Sequence, residues 1–126
     1  MKVNRKILFA VAALAWSVII AVLSLLPSQK IPETGLWNFD KLAHLFVYAV
    51  QTALLIGWFC SDFSNKKVLI YASVLSASVS ILFGIVIEIS QPVLTNRTFD
   101  LYDIFANITG SLTGIAIVKF SILTFK

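Results

Sequence analysis

Four apolar runs divide the chain, separated by short polar stretches, and they predict helices over 7–26, 42–59, 68–89 and 101–120. A helix of about 20 apolar residues crosses a hydrocarbon layer about 30 Å thick, and each run approaches or reaches that length. The fold expected is all-α: a polytopic membrane protein built as a bundle of four transmembrane helices, with a single domain over 1–126. The first run follows Lys2, Arg5 and Lys6, as a signal peptide would. It is longer than the 7 to 15 residues of a signal's apolar region and ends in Ser24-Leu25-Leu26-Pro27, so it reads as a span rather than a cleaved leader.

Polar and small residues inside the runs recur at steps of three and four, so they lie on helix faces. Ala10, Ala13, Ser17, Ala21 and Ser24 give the first helix a surface for close packing. On the second, Asp40, His44, Tyr48 and Gln51 share one stripe, with Asp40 suited to cap the helix start. On the third, Ala77, Ser80, Gly84, Glu88 and Gln91 form a stripe that is small in its first half and polar in its second, and Pro92 is expected to end or kink the helix. The fourth repeats this in the opposite direction with Asp103, Asn107, Gly110 and Gly114. Trp37, in the loop from Pro27 to Phe39, suits an interfacial anchor.

Composition agrees with the pattern. The chain has 126 residues, 59% hydrophobic and 13% charged, where a soluble domain carries about 25% charged residues. It leaves no room for a separate soluble catalytic domain. A net charge of +4 invites a nucleic-acid reading, but the basic residues are scattered at segment ends, so no nucleic-acid partner is expected. They report topology instead. With the N-terminus inside, Lys2, Arg5, Lys6, Lys66, Lys67, Lys119 and Lys126 flank the inner side, against Lys30, Lys41 and Arg97 outside. That asymmetry predicts both termini in the cytoplasm. The polar ends of three stripes then meet at one level, the outer one. Cys60, the single cysteine, has no ligand pattern around it and reads as a small apolar filler.

Asp40-Lys41-x-x-His44-x-x-x-Tyr48, Glu88-x-x-Gln91, and Arg97-x5-Asp103-x3-Asn107-x-x-Gly110-x3-Gly114 together resemble the VanZ-like family of small bacterial membrane proteins. Thr95-Asn96 stands where that family often has a Pro-Gly-like turn. The resemblance implies a multi-pass protein of the bacterial cytoplasmic membrane and functional weight on the motif positions. The family's namesake is associated with resistance to the glycopeptide teicoplanin, and the resemblance carries no reaction.

The residues themselves suggest a polar pocket. Ionisable groups at membrane depth are costly and usually functional. Asp40, His44, Tyr48, Glu88, Gln91, Arg97, Asp100, Asp103 and Asn107 are the candidate ligand-binding residues, with Arg97 able to clamp a phosphate or carboxylate. The leading reading is a module that binds an anionic, amphiphilic envelope component, with a lipid-linked one as the candidate partner. An enzyme acting on a lipid-linked phosphate or ester would draw its catalytic groups from His44, Glu88 and Asp103. An assembly factor would work through its apolar outer faces. A purely architectural network would pair Arg97 with Asp100 or Asp103, and His44 with Glu88. One histidine without a thiolate is a thin set for zinc, and no metal or other cofactor is expected.

Overall fold

The computed structural model describes residues 4–27 and 37–125, without the side chains of Trp37 and Asn38; the anchoring role expected of the Trp37 side chain, and the loop before it, lie outside that description. Four helices follow one another: α1 (Arg5–Leu25), α2 (Trp37–Phe59), α3 (Lys66–Leu94) and α4 (Leu101–Thr124). All four are long and apolar enough to span a membrane. Large apolar side chains such as Val11, Val18, Leu42, Phe46, Leu82 and Phe120 point outward, as lipid-facing residues do.

Local chemistry sets the helix ends. Asn4 accepts a hydrogen bond from the Lys6 N–H at 3.0 Å, and Asn65 from Lys67 at 3.0 Å and Val68 at 3.3 Å. These caps start α1 and α3 two residues earlier than the apolar pattern suggests, drawing Lys66 and Lys67 into the first turn. Asp100 caps α4, accepting from the Tyr102 N–H at 2.8 Å. Asp40, expected as a cap, instead lies inside the first turn of α2, where a carboxylate still faces the positive end of the helix dipole. Pro92 does not stop α3. It deprives the Glu88 carbonyl of a donor, and the helix continues to Leu94 before the N–H and hydroxyl of Thr95 close on the Gln91 carbonyl at 2.9 and 2.7 Å.

Short connections make neighbours antiparallel. α2 is central and meets the other three helices, while α1 and α4 do not touch among the described residues. The glycines of α4 set its distance from α2: a Cβ on Gly110 would collide with the Leu45 carbonyl, and one on Gly114 with that of Ala49. Deeper along α3 and α4, Ser111 and Ser80 hydrogen-bond at 3.2 Å. At one end of the bundle Arg5 holds the Cys60 carbonyl at 2.9 Å and lies 4.6 Å from the centre of the Phe63 ring. Burial there pushes the Cys60 thiol up from its ordinary pKa, which fits a packing role. The other end gathers the C-termini of α1 and α3 and the N-termini of α2 and α4, and there the acidic groups Asp40, Glu88, Asp100 and Asp103 collect.

Candidate functional site

The close approach at Gly110 brings the preceding turns of α4 against α2. Asn107, one turn before Gly110, places Oδ1 2.9 Å from His44 Nδ1. Asp103, a further turn back, directs Oδ2 to 3.6 Å from His44 Nε2, while Asp40 Oδ1 approaches the same nitrogen at 3.8 Å. Tyr48 is stacked one turn below His44, with the rings parallel within 3°.

Lys41 ties this cluster together. Its ammonium donates to Asp100 Oδ2 at 2.7 Å and to Asp103 Oδ1, and lies 3.5 Å from Asp40 Oδ2. Partial burial works against the charge of Asp100, but the bond from Lys41 and the Tyr102 N–H outweigh it and hold the carboxyl below its ordinary range. The ion pairs suggested by the sequence are therefore redistributed. Asp100 and Asp103 belong to Lys41 rather than Arg97, and His44 faces Asn107, Asp40 and Asp103 rather than Glu88.

Arg97 stands at the rim. Its guanidinium approaches the Ser24 carbonyl at 3.5 Å and Asp40 Oδ1 at 4.0 Å, contacts that leave most of its five N–H donors uncommitted. Gln91 donates to the same Ser24 carbonyl at 3.2 Å. That carbonyl is in the last turn of α1, where helical acceptors lack intrahelical donors. Behind the rim, Glu88 is fully buried with neither oxygen hydrogen-bonded. Asp103, Arg97 and Lys41 act on it electrostatically, and the Asp100 backbone N–H faces it without closing a bond that meets hydrogen-bond geometry.

A cavity of about 190 Å³ opens beside the cluster, between α1 and α2. Trp16, Ile19, Ile20, Leu23, Ala43 and Val47 form its apolar walls, and Ser24, Asp40, His44, Tyr48 and Arg97 give it a polar end. Trp16 is fixed by donating its indole N–H to the Val47 carbonyl at 2.9 Å. Ile19 and Leu23 are also exposed on the outer surface, so the groove opens sideways towards lipid. Glu88, Asp100, Asp103 and Asn107 do not line it.

Of the candidate residues, the structure thus unites Asp40, His44, Asp100, Asp103 and Asn107 around Lys41. It sets Arg97 and Gln91 on the Ser24 carbonyl and leaves Glu88 beneath them. Lys41, which stands in the motif, Ser24, read only as part of a packing face, and Trp16 are participants outside the candidate ligand-binding residues. Lys41 carried a signal, since it lies three residues from His44 on the same helical face; the Ser24 contribution is a backbone carbonyl and carries none.

An α-helical bundle with four helices long and apolar enough to span a membrane and a part-buried ionic cluster at one end defines a small multi-pass membrane protein. The chain belongs to the VanZ/LLP1 family, whose model matches residues 4–123. An uncharacterized protein of Schizosaccharomyces pombe is 35% identical over 94 residues, covering 74% of this chain and 51% of that protein. The chain spans about half the length of that relative, which extends the likeness to a fungal protein. No solved structure matches.

Proposed function

We propose that this protein is a binding module for an anionic amphiphile of the cell envelope. Its headgroup sits beside Arg97, and part of its chain lies in the groove between α1 and α2. The observation that carries this reading is the groove itself, apolar along Trp16, Ile20, Leu23 and Val47, open to lipid, and ending at a guanidinium with spare donors. At about 190 Å³ it is smaller than the roughly 300–1,000 Å³ of pockets that enclose whole ligands, and it suits a segment of one acyl chain. Guanidinium geometry favours phosphate or carboxylate.

The lysine and arginine asymmetry supports placing both termini in the cytoplasm and this site at the outer face of a bacterial cytoplasmic membrane. Family membership supports envelope stress, glycopeptide resistance included, as the proposal's physiological setting. An enzymatic reading with Glu88 as general base is disfavoured, because Glu88 does not line the groove; such a reading would fall to His44.

The test uses lipids brominated on their chains, which quench nearby tryptophan. In a Trp37→Phe, Trp58→Phe background Trp16 is the reporter. Brominated phosphatidylglycerol should quench it more than brominated phosphatidylcholine at equal mole fraction. Equal quenching by the two would remove headgroup selectivity, and no quenching by either would remove the groove.

A further inference from the structure

We propose that Asp40, His44 and Asp103 form a binding site for a divalent first-row cation of the Mn²⁺ or Zn²⁺ kind. One ligand atom from each residue lies within 4.8 Å of the others. His44 Nε2 is 3.8 Å from Asp40 Oδ1 and 3.6 Å from Asp103 Oδ2. Ligands bound at about 2.0–2.2 Å from such a cation stand about 3–4 Å apart, so the spacing already matches and little rearrangement is needed.

The surrounding hydrogen bonds orient these atoms as a metal site requires. Lys41 occupies Asp40 Oδ2 and Asp103 Oδ1, the oxygens turned away from the histidine. It fixes each carboxylate while leaving the other oxygen of each directed at Nε2. On the far side of the imidazole, Nδ1 faces Asn107 Oδ1. That contact gives Nδ1 a hydrogen-bonding neighbour, as a ligating histidine usually has, and Nε2 is the nitrogen that faces the two carboxylates.

Charge points the same way: the carboxylates of Asp40, Asp100 and Asp103 crowd around the single ammonium of Lys41, and Arg97 reaches Asp40 only at 4.0 Å. The ligand types, one imidazole and two carboxylates, suit Mn²⁺ and Zn²⁺ better than softer ions. Three protein ligands leave further positions open, as in catalytic rather than structural zinc sites, and the cavity reaches both Asp40 and His44, giving an entry path. A cation there would add positive charge beside Arg97 at the groove's polar end. The metal site is argued from protein groups alone and does not rest on the lipid reading.

The test is titration of the EDTA-stripped full chain in detergent with Mn²⁺ or Zn²⁺ alone. Mn²⁺ is followed by loss of its free-ion paramagnetic resonance signal and Zn²⁺ by calorimetry. The expected result is saturation near one equivalent per chain, at least tenfold weaker in Asp40→Asn and His44→Gln. Asp40 is half-exposed and its variant is expected to fold; circular dichroism checks both. Saturable binding should also raise the melting temperature of the wild type and not of Asp40→Asn. Absence of saturable binding to the wild type, or affinity unchanged in both folded variants, overturns the site. Lipid retention measured in EDTA reports separately on the proposed function.

Discussion

Gly110 of α4 lies so close to the Leu45 carbonyl of α2 that a single added methyl would collide with the backbone. Because Asn107 and Asp103 occupy the preceding turns of α4, this contact also sets the approach that lets Asn107 reach His44 at 2.9 Å.

Gly110→Ala should therefore push two backbones apart. Overpacking costs typically about 1–3 kcal/mol, and melting in detergent should fall accordingly. Gly57→Ala is the comparison: the nearest atoms its Cβ would meet belong to the Phe9 ring, a side chain rather than backbone. Its loss should be smaller, and an equal loss would mean that α4 yields as readily as a side chain.

Lys41 is expected to carry the architecture. Breaking a buried ion pair by removing one partner costs about 3–5 kcal/mol, and Lys41→Ala would strand Asp103, whose side chain is only 6% exposed. Pairing Lys41→Ala with Asp103→Asn should restore much of the loss. Arg97→Ala, whose guanidinium makes longer contacts, should cost less. Thermal melts of the three variants check the order.

Much of this arrangement is legible in the chain. The stripe from Asp40 to Gln51 and the polar end of the Ala77 to Gln91 stripe predict buried faces, and Tyr48, Gln51, Glu88 and Gln91 are buried. The pairing is not legible. Whether Lys41 or Arg97 meets Asp100 and Asp103 depends on the relative rotation of helices and on a loop conformation, which no periodicity encodes. The stripe does not even guarantee a shared environment: Gln51 donates to Ser17 of α1 at 2.8 Å, turned from the ionic cluster to a separate contact. Pro92 misled the boundary of α3 because Thr95, three residues on, provides an alternative helix end.

Asp100 predicts an acid-side sensitivity. Its carboxyl is held below its ordinary range in the folded protein, so its contribution to stability is present above the unfolded value of about 4 and is lost as pH falls through the lower folded value. Melting temperature against pH should decline below about pH 4, and Asp100→Asn should flatten that decline while lowering stability at neutral pH. An unchanged slope would show that Lys41 does not distinguish the charged form.

Cys60 should be unreactive in the native protein. It is fully buried, with its thiol pushed above the ordinary value by that burial, and thiolate is the nucleophile. Maleimide labelling in mild detergent should be slow and become fast on denaturation; rapid native labelling would contradict the packing around Arg5 and Phe63.

The central claim is that Arg97 reads the headgroup of an amphiphile lying between α1 and α2. Native mass spectrometry of the protein with an equimolar mixture of phosphatidylglycerol and phosphatidylcholine tests it most directly. The wild type should retain the anionic lipid preferentially, and Arg97→Lys should lose most of that preference while melting within a few degrees of the wild type, because lysine offers a point charge in place of a fork of donors. Equal retention of both lipids by the wild type, or a preference unaltered in Arg97→Lys and in Arg97→Gln, would contradict it.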